Sequence, residues 1–146
     1  MAVEVRAIGL DLGSKRIGVA TSDRSGLIAT PYTVLQRTGD RARDHRAIAE
    51  IVAEFEASVV VVGLPLSLSG ESGPAAKGVI EEIEQLSSVV GVPIETYDER
   101  MTSVKANEVL MERKMKAQAR RRVVDKVAAA VMLQAWLDHR RNLAGS

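Results

Sequence analysis

Apolar and polar positions alternate at the start of the chain. Ile8, Leu10 and Leu12 are interleaved with Gly9, Asp11 and Gly13. A period of two marks a strand with unlike faces, so Val3 to Leu12 is predicted to be a strand. Gly13, Ser14 and Lys15 supply a turn, and the run RIGVATSD from Arg16 to Asp23 a second strand. Asp23 to Gly26 is rich in turn formers, and Leu27 to Gln36 reads as a third strand. Three strands with short connections predict an antiparallel meander.

The period then changes. Ile48, Ile51, Val52 and Phe55 fall at helical spacing and predict a helix over Asp40 to Phe55. Four consecutive valines from Val59 open a strand to Gly63 of the kind buried on both faces. A Ser/Gly/Pro-rich loop runs from Leu64 to Pro74, and Val79, Ile80, Ile83 and Leu86 predict a helix from Ala75 to Val89. Val92 to Tyr97 reads as a short strand, and Thr102 as the N-cap of a helix to Met111. The basic stretch Arg113 to Arg122 is expected to be mobile, and Val123 to His139 to be the last helix. A meander followed by alternating strands and helices predicts an α/β fold: a mixed five-stranded sheet flanked by helices. With no internal repeat or linker, residues 1–146 are expected to form one domain.

Composition narrows the chemistry. There is no cysteine, which excludes disulfides, thiolate metal sites and cysteine nucleophiles. No basic start with a long apolar stretch precedes the first strand, and the longest apolar runs are too short to span a bilayer. A cytoplasmic location and no membrane partner are expected. The net charge of +1 is uninformative, but its distribution is not. Residues 1–112 carry 11 Lys/Arg against 17 Asp/Glu, and residues 113–146 carry 9 against 2. A basic end on an acidic body suggests an anionic partner; the plainer reading is a solvated helix face.

Three acids stand out. Asp11 lies inside an apolar strand, where a carboxylate is costly unless paired or bound to metal. Gly9 and Gly13 beside it remove side chains that would keep a metal or phosphate away. The alternative is a structural Asp accepting backbone hydrogen bonds. Glu99, with Asp98 and Arg100, follows a strand at the end where sites form in open α/β sheets. That run is either a surface turn or one or two metal-directed carboxylates beside a phosphate-directed arginine. Asp125 shares a helix face with Ala128, Ala129, Met132 and Trp136. An acid on that packing face either favours the helix dipole or looks into a site. Together the three describe carboxylates that would repel one another unless a cation sat between them. Oxygen-only ligands favour Mg²⁺ or Mn²⁺, and two such ions suit phosphodiester hydrolysis.

The cations supply the other half. Arg113, Lys114, Lys116, Arg120, Arg121, Arg122 and Lys126 cluster around Asp125 without interleaved aromatics. That favours contact with a phosphate backbone over base stacking. The residues assigned to nucleic-acid binding are Lys15, Arg16, Arg100, Arg120, Arg121, Arg122 and Lys126. The loop holding Ser67, Ser69 and Gly70 either offers backbone N–H groups to phosphate or is a plain connection. His45 and His139 are expected to be solvated helix residues.

The run DLGSKRIGVA from Asp11 to Ala20 resembles the opening motif of the YqgF family of Holliday-junction-resolvase-like proteins. GLPL from Gly63 with Gly70, DERMT from Asp98, and Asp125 followed by Ala128, Ala129 and Leu133 match its later motifs in order. The resemblance covers nearly the whole chain and departs in an arginine-rich final basic stretch. It implies a ribonuclease-H-like fold, a cytoplasmic protein, and a nuclease acting on the 5′ end of precursor 16S rRNA or, alternatively, on Holliday junctions. It also places the catalytic, metal-binding acids at Asp11, Glu99 and Asp125.

The expected activity is therefore that of a Mg²⁺- or Mn²⁺-dependent hydrolase, an endo- or exonuclease acting on structured RNA or branched DNA, as a monomer or homodimer. A non-catalytic RNA-binding or transcription factor would use the same basic segment without metal. A phosphotransferase of the actin-like kind would also open with Asp-x-Gly on its first strand, but needs two such domains.

Overall fold

The computed structural model describes the backbone of residues 5–65, 73–98 and 117–144, and the side chains of these outside 117–125 and 143–144. Among the described residues, five strands and three helices fall in the order β1 (Ala7–Leu12), β2 (Arg16–Ser22), β3 (Ala29–Gln36), α1 (Arg41–Glu54), β4 (Val59–Leu64), α2 (Pro74–Val90), β5 (Ile94–Asp98) and α3 (Ala117–Ala144). The sheet order is β3-β2-β1-β4-β5. β1 to β3 form the antiparallel meander, and β4 lies parallel to both β1 and β5. This is the mixed sheet that the patterning predicts.

The sheet separates two cores. Ile8 and Leu10 of β1, Ile17 and Val19 of β2, and Val60 and Val62 of β4 pack with α1 and α2. Ala7, Ala20, Val59 and Val61 point the other way and pack on Ala129, Met132, Leu133 and Trp136 of α3. Both faces are covered, so the four valines of β4 are almost wholly buried.

The ends of the helices follow local chemistry. The Asp40 side chain accepts from the Arg43 N–H at 3.2 Å and caps α1. Pro74 begins α2, where its missing N–H has no helical partner to lose. Gly91 ends it at φ 72°, a conformation that glycine adopts without strain. On β3, a register shift opposite Val19 and Ala20 accompanies Pro31, which an edge strand tolerates because its N–H need not pair.

Some boundaries differ from expectation. β1 begins at Ala7 and not Val3, and β5 at Ile94 and not Val92. α3 begins at Ala117, so residues 117–122 of the stretch expected to be mobile are helical. Ala, Gln and Arg are strong helix formers, and net charge did not prevent them from extending the helix. The helix expected over Thr102 to Met111, and most of the loop from Leu64 to Pro74, lie outside the described residues.

Candidate active site

Asp11 stands near the end of β1, half-buried, on the face shared with Ala7 and Gly9. That is the α3 face. Directly across the β1–β2 ladder from it is Gly18. On the other side, Gly9 pairs with Val61 and Leu10 with Val62, so the same register carried one residue on brings Gly63 beside Asp11. Strand alternation puts Gly18 and Gly63 on the α3 face as well. Both neighbours of the carboxylate therefore lack side chains. Arg16, two residues before Gly18, shares the face, while Lys15 is exposed in the turn between the strands.

Gly9 and Gly13 have other reasons. A Cβ on Gly9 would lie 2.9 Å from Leu133 Cβ and 3.1 Å from the Ala129 carbonyl oxygen, so Gly9 is what lets α3 approach β1. A Cβ on Gly13 would lie 2.6 Å from the Arg16 carbonyl oxygen, so Gly13 is dictated by the tight turn. The glycines on the strands flanking Asp11 are Gly18 and Gly63.

α3 runs back along β1. Leu137 approaches Gly26 beside Val5, just before β1, and Ala129 and Leu133 lie on Gly9 farther along. Position 125 is one turn before Ala129, and about 6 Å of helix separate them. Asp11 is two residues beyond Gly9, about 7 Å along the strand. The backbones thus carry positions 11 and 125 toward the same end of the β1–α3 contact. The packing face expected for Asp125 is the one observed at Ala129, Met132 and Trp136, which are buried. The Asp125 side chain lies outside the described residues. Positions 120–122 form the first turns of α3, and Lys126 is half-buried.

On β5, Asp98 is in register with Leu64, at the same end of the sheet as Asp11. Ile94 packs on the α1/α2 core and Tyr97 against the α3 core, so alternation puts Asp98 on the face opposite Asp11. Glu99 and Arg100 lie outside the described residues. Among the described residues no three His, Cys, Asp or Glu form a metal-binding group; of the three expected acids, only the Asp11 side chain is among them. Its donor chemistry, a carboxylate with glycine on both flanking strands, fits a hard divalent cation.

The patterning missed a buried polar network on the α1/α2 side. Arg37, just past β3, donates from both terminal nitrogens to Glu82 of α2, at 2.9 and 2.8 Å. Its Nε donates to the Gly13 carbonyl oxygen at 2.7 Å. His45 of α1 approaches the same Glu82 carboxylate through Nε2 at 2.7 Å. His45 is 2% exposed, so the expectation of a solvated histidine is wrong for it and right for His139, which is exposed. Burial pushes the Glu82 carboxyl upward, but hydrogen bonds from Arg37 and His45, with the charges of Arg37 and Arg41, outweigh it and hold the group below its ordinary range. The hydrogen bond to Glu82 in turn raises Arg37. A signal was present: Glu82 falls three residues after Val79 and four before Leu86, on the apolar face of α2.

Known proteins resemble the chain over nearly its whole length. A protein of Mycobacterium sp. (strain KMS) named "Putative pre-16S rRNA nuclease" is 45% identical over 137 residues, covering 93% of this chain and 81% of that one. One of the same name from Thermoanaerobacter pseudethanolicus is 40% identical over 139 residues, covering 94% and 99%. Among solved structures, Thermus thermophilus RuvC in complex with a Holliday junction substrate superposes with a TM-score of 0.59 at 17% identity, covering 94% of this chain and 96% of that one. That likeness establishes the fold as ribonuclease-H-like. The profile described as "RuvX: Holliday junction resolvase" matches residues 5–139, and the chain belongs to that family, the RuvX (YqgF) family.

Proposed function

We propose that the chain, as one domain over residues 1–146, is a nuclease that hydrolyses phosphodiester bonds at the 5′ end of precursor 16S rRNA. The observation that carries this reading is the setting of Asp11: a half-buried carboxylate with Gly18 directly opposite, in a chain whose relatives bear the rRNA nuclease name. Glycine on the strands beside a carboxylate leaves room for a phosphate to approach it.

Asp11, Glu99 and Asp125 would hold Mg²⁺ or Mn²⁺, and the bound metal would supply an activated water and charge stabilisation at the leaving oxygen. The protein's own cations carry the remaining work. Arg16 shares the Asp11 face and would meet a phosphate beside the scissile one. Lys15 is exposed in the adjoining turn, and Arg100, Arg120, Arg121, Arg122 and Lys126 would extend the basic track toward the first turns of α3. Asp98, on the opposite face, is a poor substitute for Glu99. No helix of the described residues is long and apolar enough to cross a membrane, and a ribosomal substrate implies work in the cytoplasm.

A second reading, cleavage of a four-way DNA junction, is favoured by the family's description. The deciding experiment offers precursor 16S rRNA and a four-way junction side by side, with Mg²⁺, with Mn²⁺ and with chelator. Metal-dependent trimming of the RNA supports the first reading. Cleavage of the junction alone supports the second, and binding to either without cleavage, at every metal concentration, overturns both.

A further inference from the structure

We propose that Arg37 is a positioning residue for Asp11, acting through the β1–β2 turn; this rests on the nuclease reading above. A chain of hydrogen bonds connects them. The Gly13 N–H donates to the Asp11 carbonyl at 3.1 Å. The Gly13 carbonyl accepts from Arg37 Nε at 2.7 Å. Arg37 grips both oxygens of Glu82, and His45 Nε2 holds one of them. The Arg37 backbone N–H also donates to the Lys15 carbonyl at 3.0 Å, so both sides of the turn are tied to this residue.

Burial makes the arrangement rigid. The side chains of Arg37, Glu82 and His45 are 15%, 4% and 3% exposed. A buried charge network of this kind is weak grounds for stability, because apolar residues of similar volume would join α1 and α2 as well. Apolar residues would leave the Gly13 carbonyl without its donor. The guanidinium is suited to both tasks, since its fixed fork holds the carboxylate while the third nitrogen reaches the turn. Lysine keeps the charge but has a single ammonium, which cannot reproduce that planar three-point contact. Gly13 has no side chain of its own to lock the turn, and no room for one. The position of Asp11 is thus set from the far side of the sheet, by residues that need not touch the substrate.

The test compares parent, Asp11→Asn, Arg37→Lys and Arg37→Ala. Three readouts are taken: cleavage with separate kcat and KM, Mn²⁺ affinity by calorimetry, and amide exchange at Gly13. Arg37→Lys is expected to melt below the parent yet stay folded at the assay temperature, to bind Mn²⁺ and turn over about 10- to 100-fold less well, as when the groups that orient metal ligands are removed, and to leave KM for nucleic acid nearly unchanged. The Gly13 amide should exchange faster. Guanidinium ion, well below denaturing concentrations, should restore part of the loss in Arg37→Ala and none in Asp11→Asn. If Arg37→Lys matches the parent in Mn²⁺ affinity and Gly13 exchange, or if it loses affinity only in proportion to global unfolding, the positioning role is wrong. A parent that binds Mn²⁺ but cleaves nothing overturns the nuclease reading alone. The metal and exchange data then still decide the role of Arg37. A parent that neither binds nor cleaves overturns both.

Discussion

Asp11 lies directly opposite Gly18 in the β1–β2 ladder. The only side chain at that rung belongs to the carboxylate, on the face where α3 packs against Gly9. Filling the rung tests what the gap is for. Valine at position 18 suits a strand but crowds Asp11. Gly18→Val should lower the cleavage rate about tenfold or more, equivalent to ~1.4 kcal/mol of barrier, while nucleic-acid affinity in chelator is unchanged. A variant that cleaves like the parent would mean the gap serves packing alone.

Gly9 makes the opposite prediction. A methyl group there would meet Leu133 Cβ at 2.9 Å and the Ala129 carbonyl at 3.1 Å, neither of which is the free end of a flexible chain. Gly9→Ala should destabilise the fold by about 1–3 kcal/mol, as overpacked cores do. Denaturant melts measure this directly; an unchanged midpoint would show that α3 can lift away from β1.

Glu82 sets an acid limit. Its carboxyl is held below the ordinary value of 4.5. A group with a depressed folded pKa stabilises the fold fully above its unfolded pKa, and that stability is lost as pH falls through the folded value. Melting temperature should therefore be nearly flat from neutral pH down to about the ordinary glutamate value, then fall. Glu82→Gln should melt lower at neutral pH and lose less across the acid limb. Parallel acid limbs for the two proteins would show that Glu82 is not the group responsible.

On the proposed reading, the basic turns of α3 would act on affinity and not on chemistry. Replacing Arg120, Arg121 and Arg122 by Ala should reduce the slope of log K against log salt by about 0.7–0.9 for each phosphate these side chains neutralise, and leave the metal dependence of cleavage alone. An unchanged slope would mean these residues face away from the substrate.

The strands of the meander, β4, α1 and α2 were legible because each has one dominant period and clear end signals, such as Asp40 before α1 and Pro74 at the start of α2. Asp11 was legible because a carboxylate in an apolar strand is conspicuous. Its glycine neighbours were not, since Gly18 and Gly63 become neighbours only through strand pairing. The Arg37–Glu82–His45 network was hidden for a related reason. Its members come from three segments, and Arg37 and His45 each resemble a solvated side chain when read alone. Glu82, like Asp125, is an acid among apolar residues at helical spacing.

The nuclease reading makes catalysis depend on the Asp11 carboxylate. Its most direct measurement is the single-turnover rate on precursor 16S rRNA for parent and Asp11→Asn, purified identically, in saturating Mn²⁺. Loss of metal-assisted charge stabilisation worth several kcal/mol predicts a fall of about 100-fold or more, with RNA binding in chelator retained. Equal rates for the two proteins would contradict it.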